Sequence, residues 1–261
     1  TLRSYGTRIF MRDQHLARLR RSAEAIGLDI PIQESHWPEL LHEAMRRNGV
    51  GNEQTDAYLR ITVSRGAGEI GLDPGLCPRA TVVIMAKPLH PSPPVLSRDG
   101  VSLTVANTRR NLPEALSPHI KSTNFLNNIL AKRESIAAGT FDSLFLNWKD
   151  ELTECTVSNL FFISGKTLHT PALDCGILDG ITRTIVMTLA QEEGVPVREG
   201  HYHLADLQRA EECFLTNTSM EIMPVNRVDS FAIGDGRPGS LTRRLQTRFA
   251  DSRTRFLEPP S

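Results

Sequence analysis

Four cysteines stand in a chain of 261 residues, and no two share a C-x-x-C spacing. Cys77, Cys155, Cys175 and Cys213 are scattered, which argues against a zinc site or any other metal and against a disulfide framework. Reduced thiols of a cytoplasmic protein are the plain reading. Net charge is lacking as well, since 30 Lys and Arg balance 30 Asp and Glu. That removes the electrostatic case for nucleic acid or an anionic membrane surface and points to small-molecule partners. The most apolar run, Ala80 to Ala86 (ATVVIMA), falls far short of the ~18 residues a membrane span needs. No charged-then-apolar leader opens at Thr1, so we expect a soluble chain without an export signal. No internal repeat recurs at a period of about 20–50 residues, which excludes solenoids and propellers.

What is present is ordinary globular material: 39% hydrophobic and 23% charged residues, enough to bury a core in one large domain or two modest ones. The opening run Leu2 to Phe10 is strand-like, broken at Tyr5-Gly6. Leu16, Leu19, Ala23 and Ile26 recur at helical spacing, with Asp13 a candidate N-cap and Gly27 a stop. A second helix is expected over about Ser35 to Asn48, ended by Gly49. From Ala57 to Arg65 strict alternation puts Leu59, Ile61 and Val63 on one face and Tyr58, Arg60, Thr62 and Ser64 on the other. Thr81 to Met85 is continuously apolar and reads as a buried central strand. The polar stretch Thr108 to His119, with Pro113 and Pro118, suits a connector. We therefore place a small N-terminal domain over 1–107, a connector over 108–119 and a larger domain over 120–261. Helices near Thr123 to Ala138, Thr182 to Glu193 and Leu204 to Ala210 and strands near Ser143 to Asn147, Asn159 to Ile163, Thr167 to His169 and Glu212 to Thr216 fill the larger one, with a helical tail from Pro238. Helices and strands interleave throughout.

Several residues could carry chemistry, each with a plain alternative. GITRT at Gly180 to Thr184 opens a helix, so its amides and the Thr182 hydroxyl could receive an anion; alone, it is a hydroxyl-capped helix start. TNTSMEI at Thr216 to Ile222 follows a strand and gathers four hydroxyl or amide side chains, either a polar turn or a second donor cluster. Arg18 sits within the first helix, where most arginines are solvated. Lys121 has no acidic neighbour in PHIKSTNFLNN; a lysine among apolar groups becomes a nucleophilic amine, whereas a surface lysine does not. Glu154 in ELTECTVSNLFF ends a strand-turn pattern.

Taken in order, six stretches resemble the fold-type-IV family of pyridoxal-phosphate enzymes. They are TLRSYGTRIFMRDQHLARLRRSA, YLRITVSRGAGEIGLDP, IKSTNFLNNILAKRESIAAG, ELTECTVSNLFF, GILDGITR and FLTNTSMEIMPV. The family holds branched-chain aminotransferases, D-amino acid aminotransferases and aminodeoxychorismate lyases. The resemblance implies an α+β chain of two domains, a small N-terminal α/β domain and a larger C-terminal α/β pseudo-barrel domain, like D-amino acid aminotransferase. It implies pyridoxal 5'-phosphate as cofactor, amino acids and 2-oxo acids as substrates, and a homodimer with its active site between the domains.

Residue by residue, the resemblance makes Lys121 the lysine of the internal aldimine and the proton shuttle. Glu154 becomes the carboxylate that keeps a proton on the pyridine nitrogen. Arg18, Ile181, Thr182 and Thr218 match phosphate-binding positions, Leu178 the aliphatic residue against the ring face, and Asn217 stands with them among the cofactor contacts. Tyr58 and Arg60 match a Y-x-R pair on the substrate side, and Thr218 and Ser219 are placed to offer amides to a substrate carboxylate. Two positions depart from the commonest pattern. Cys155 stands where many aminotransferases have glycine and resembles the T-E-C run of some lyases, and Asn217 replaces a glycine of branched-chain enzymes. RGAGEIGLDP resembles the loop of branched-chain-type enzymes, so we expect transamination from a branched-chain or similar amino acid to 2-oxoglutarate. The alternatives are an aminodeoxychorismate lyase, a D-amino acid aminotransferase, and a binding protein that kept the fold after losing catalysis. Family members begin with a further strand ahead of the run that here opens TLR, so that piece is expected to precede Thr1.

Overall fold

A computed structural model describes residues 1–259, which divide into two compact units: residues 1–90 with 253 onward, and residues 91–252. The first unit begins with β1 (Leu2–Tyr5) and β2 (Arg8–Ile9), followed by α1 (Arg12–Glu24), α2 (Trp37–Arg47), β3 (Ala57–Ser64) and β4 (Thr81–Pro88). Its sheet runs β2-β1-β3-β4, and β3 pairs with β4 along its whole length from Ala57↔Pro88 to Ser64↔Thr81. Leu2, Ile9, Leu41, Met45, Ala57 and Leu59 fill the core between sheet and helices.

Two local expectations change here. β4 is an edge strand rather than a central one, and Val83 and Met85 are about half exposed (52% and 48%). A continuously apolar run records that a surface is apolar, not that this chain covers it. The N-cap of α1 is Met11, not Asp13. Met11 lies in the left-handed region at φ 50° without a side-chain cap, and its amide donates to the Phe256 carbonyl at 3.0 Å. The returning tail closes this unit through Glu258, whose buried carboxylate accepts from the Ile9 amide at 2.8 Å, from Arg12 and from His42 Nε2 at 2.8 Å.

The second unit contains α3 (Pro94–Asp99), β5 (Val101–Val105), α4 (Leu126–Ala138), β6 (Asp142–Leu146), β7 (Leu152–Cys155), β8 (Asn159–Ser164), β9 (Thr167–Pro171), α5 (Ile181–Glu192), β10 (Val197–Gly200), α6 (Leu204–Gln208), β11 (Glu212–Asn217), β12 (Glu221–Val228), β13 (Phe231–Ala232) and α7 (Ser240–Ser252). Strand order is β10-β9-β8-β11-β12-β5-β6-β7, and an additional β7–β8 pairing closes six of the strands into a barrel. The closing pair is Glu154↔Asn159. Leu103, Leu144, Leu152, Leu160, Phe162, Leu215, Met223 and Val225 pack together as its core.

β5 corrects the division expected from sequence. It pairs in parallel with β12 and with β6, so residues 91–107 join the second unit, and the boundary falls at His90 rather than at the 108–119 connector. The proline-bearing stretch is instead a loop within the second unit, fastened at its start by Glu134 of α4. That carboxylate accepts from the Asn107 amide (2.6 Å), the Thr108 amide (3.0 Å) and the Thr108 hydroxyl (2.6 Å).

Burial pushes the Glu134 carboxyl up, but these donors outweigh it and hold it below its ordinary value of 4.5. A lowered folded-state value stabilises above the unfolded value and is lost as pH falls through the folded one. Glu134→Ala should therefore cost about 1–2 kcal/mol at neutral pH. In thermal melts from pH 7 downward, the gap between the two proteins should hold above the ordinary carboxyl value of 4.5 and narrow as pH falls below it.

Candidate active site

The barrel's closing pair lies in a polar row. Opposed residues of an antiparallel ladder project from the same face, and Glu154↔Asn159 and Asn159↔Thr216 are such pairs. The alternation that turns Leu160 and Phe162 into the barrel core turns Asn159 and Phe161 outward, where Phe161 stacks on Phe214 at 5.0 Å. Glu154, Asn159 and Thr216 thus cross three strands side by side.

Glu154 is 5% exposed, and a buried carboxylate must be paired. Arg110 supplies the partner. Its Nη2 and Nε donate to Glu154 Oε1 at 2.7 and 3.1 Å, and its Nη1 donates to Asn127 Oδ1 at 3.0 Å. Oε2 accepts the Leu178 amide at 3.0 Å and the Asn159 Nδ2 at 3.3 Å. The guanidinium therefore holds one oxygen, and the longest of the four contacts is on the other. Arg110 and Asn159 were not among the residues singled out from sequence. Arg110 stands within a polar proline-bearing stretch that reads as a connector, and only the fold brings it to a carboxylate 44 positions on.

Asn159 also ties in the loop ahead of α5, donating to the Leu178 carbonyl at 2.9 Å. A Cβ at residue 180 would collide with the Asn159 amide, so glycine is required for this close approach. Gly180 is the N-cap of α5, no side chain caps the helix, and its first turn carries no acidic residue. The amides of Ile181 and Thr182 open the helix, a disposition suited to an anion. Arg183 of the same motif turns the other way. Buried, it donates to the Pro171 carbonyl at 3.0 Å and pairs with Glu199.

The β11–β12 turn is built around the Asn217 side chain. Asn217 Oδ1 accepts the Ser219 amide at 2.9 Å and the Met220 amide at 2.7 Å. Its Nδ2 donates to the Val157 carbonyl at 3.3 Å. Asn217, expected among the cofactor contacts, uses its side chain here to hold the turn. The Ser219 amide, expected to meet a substrate carboxylate, is engaged within the turn. Thr218 is half-buried at its tip, and the buried Thr216 and Ser158 hydroxyls have no hydrogen-bond partner among the described residues.

Lys121 lies exposed in the loop before α4, at the centre of a tight turn in which the Ser122 amide donates to the Ile120 carbonyl at 2.9 Å. Cys155, next to Glu154, is fully buried; burial, then Asp142, pushes its thiol well above the ordinary range and keeps it protonated. In the first unit, Arg18 is buried on α1 with His15 Nδ1 3.5 Å from its Nη2. Tyr58 and Arg60 share one face of β3, both half-buried, and Lys87 Nζ sits 4.9 Å from the Tyr58 ring centroid.

Removing one partner of a buried ion pair leaves an uncompensated charge. Arg110→Ala should therefore destabilise the protein by about 3–5 kcal/mol. Lysine, which lacks the planar fork, should recover only part of this. Urea unfolding of the three proteins provides the measure.

Comparison with known proteins places this site in a family. The aminotransferase class IV profile matches residues 1–228. The "Putative branched-chain-amino-acid aminotransferase" of Methanocaldococcus jannaschii is 37% identical over 255 residues, covering 98% of this chain and 86% of that protein. An aminodeoxychorismate lyase of Bacillus subtilis is 30% identical over 246 residues, covering 94% and 82%. Among solved structures, the branched-chain aminotransferase of the thermophilic archaeon Thermoproteus uzoniensis with norvaline superposes with a TM-score of 0.89 at 30% identity, covering 99% of this chain and 88% of its own. A profile spanning 228 of 261 residues, on a barrel closed at a buried carboxylate, makes this chain a member of the class IV aminotransferases.

Proposed function

We propose that this chain is a pyridoxal-phosphate-dependent aminotransferase that moves an amino group from a branched-chain or similar amino acid to 2-oxoglutarate. The observation that carries the reading is the buried Glu154, paired to Arg110 on one oxygen and set beside the loop that leads into the uncapped start of α5. Those residues fit the cofactor. The α5 amides of Ile181 and Thr182 suit its phosphate, with the Thr182 and Thr218 hydroxyls as further donors, and the family resemblance assigns Arg18 of the first unit to that phosphate as well. Glu154 suits a cationic ring nitrogen, and the Thr216 hydroxyl is a donor left unsatisfied among the described residues.

When bound, the cofactor supplies an electron sink next to the substrate α-carbon. Lys121 would hold it through Nζ, and that amine would be the group that takes up and gives back the substrate α-proton. Glu154, hydrogen-bonded to Arg110, would accept from the cofactor's ring nitrogen. Leu178 supports the ring face, while its amide holds Glu154 in place. For the substrate side the family resemblance assigns Tyr58 and Arg60 in the first unit, and Thr218 and Ser219 in the second, where the Ser219 amide is bonded to Asn217.

We also place the protein in the cytoplasm as a homodimer. All four cysteines are free of disulfides, and among the described residues no helix is long and apolar enough to cross a membrane. Leu126, Ile129, Leu130 and Ile136 form an exposed apolar stripe on α4, the kind of surface a second subunit covers. A second reading, aminodeoxychorismate lyase, draws support from the T-E-C run and the Bacillus subtilis relative. It uses the same lysine but ends in elimination of pyruvate.

Absorption spectra of the cofactor-loaded protein test the reading. L-leucine should convert the visible band to the pyridoxamine form. Conversion by D-alanine alone would redirect the assignment to D-amino acids, and 4-aminobenzoate from aminodeoxychorismate without pyridoxamine formation would make the protein a lyase. Lys121→Ala should abolish the visible band and lower turnover by about 10²–10⁴-fold or more. Retained turnover in that variant would remove the mechanism altogether.

A further inference from the structure

Outside the residues assigned to catalysis, the second unit assembles a nitrogen, a sulfur and an oxygen donor from three separate elements. Glu151 precedes β7, Cys175 lies in the turn after β9, and His201 follows β10. Their ligand atoms all lie within 4.8 Å of one another. His201 Nδ1 is 3.1 Å from Glu151 Oε1 and 3.5 Å from Cys175 Sγ. With metal–ligand bonds of about 2.0–2.3 Å, the corresponding edges of a zinc tetrahedron come to about 3.4 and about 3.6 Å. The two edges at His201 are thus close to coordination spacing, and the third, between Glu151 and Cys175, is within 4.8 Å.

Each donor except the thiol is also held from behind. Asp174 Oδ2 lies 3.3 Å from His201 Nε2, which fixes the imidazole with Nδ1 toward the cluster, the carboxylate–histidine arrangement found behind metal-ligating imidazoles. Asn147 Nδ2 donates to Glu151 Oε2 at 2.7 Å, leaving Oε1 toward His201. Cys175 and Glu151 are buried, whereas the His201 side chain is 45% exposed, so solvent reaches the cluster and can supply a fourth ligand.

We propose that Glu151, Cys175 and His201 form a binding site for a thiolate-preferring divalent cation, Zn²⁺, with Asp174 and Asn147 positioning two of its ligands. Sulfur and imidazole ligands select zinc over magnesium or calcium, which take oxygen. On binding, the ion takes the Cys175 thiolate and the thiol proton leaves to solvent. The sequence argument against zinc concerned C-x-x-C spacing. Here the donors lie 26 and 50 residues apart and meet only through the pairing of β9 with β10 and the turns beside it. Cys175 is followed closely by Leu178, whose amide holds Glu154, so the ion would fasten the turn that leads to the active site.

Equilibrium dialysis of the tag-free, cofactor-loaded protein against Zn²⁺ tests this. One ion per chain is expected, with a matching rise in melting temperature. Cys175→Ser and His201→Ala should each lose the site, and Asp174→Asn should weaken binding by about 10–100-fold. His201 is half exposed, so its variant should still fold, as an unchanged melt without zinc would establish. No bound zinc in the wild type, or binding and a melting shift that persist in both ligand variants, would overturn the proposal.

Discussion

A β-barrel that closes through a single opposed pair places an unusual demand on the two residues that make it. Here they are Glu154 and Asn159, and the carboxylate at the seam is buried. An ionised carboxylate out of water is tolerated only when charge and hydrogen bonds replace its hydration. The rest of the site follows from that need. Arg110 is drawn in from the loop after β5, Asn127 of α4 fixes the guanidinium's free end, and the Leu178 amide is pinned to the second oxygen. Pinning Leu178 sets the approach of Gly180 to Asn159 and hence the direction in which α5 begins. One electrostatic requirement therefore orders a strand end, a loop and a helix start.

Two buried arginines in this unit show how position divides labour among like residues. Arg110 pairs with the buried carboxylate at the barrel seam, and Phe145 lies 5.4 Å beneath its guanidinium, which limits its freedom. Arg183 belongs to the very motif that suggests anion binding. Its side chain nonetheless ties α5 to the end of β9 and to β10 through Pro171 and Glu199. The anion-receptive elements of GITRT are accordingly its amides and the Thr182 hydroxyl. Its cation is structural.

Collinear motifs made the family, the two-part fold and the barrel legible, because they fix strand–turn–helix segments that the chemistry uses directly. Long periodic elements such as α1, α4 and α5 were legible for a plainer reason, since their apolar spacing lies within one stretch of chain. What escaped depends on pairings between distant segments. Nothing local in Val101–Val105 says that it enters the second sheet between β12 and β6, and this misplaced the domain boundary. Arg110 was hidden for the same reason. β4 misled differently: an apolar run looks alike whether its cover is the same chain or another surface. Met11 shows the limit of capping rules, since a tertiary bond from its amide to Phe256 takes the place of a side-chain cap.

Of the two departures from the commonest family pattern, only one changes how the site works. Cys155 adds a thiol that burial keeps protonated and that packs into the barrel core with Leu144 and Leu160, so it fills volume without adding charge or a donor at the reacting face. Asn217 adds an acceptor. A glycine there would leave the Ser219 and Met220 amides to be satisfied by something else, whereas the Asn217 carboxamide takes both. The turn is thereby closed by its own side chain, with the Ser219 and Met220 amides both engaged within it.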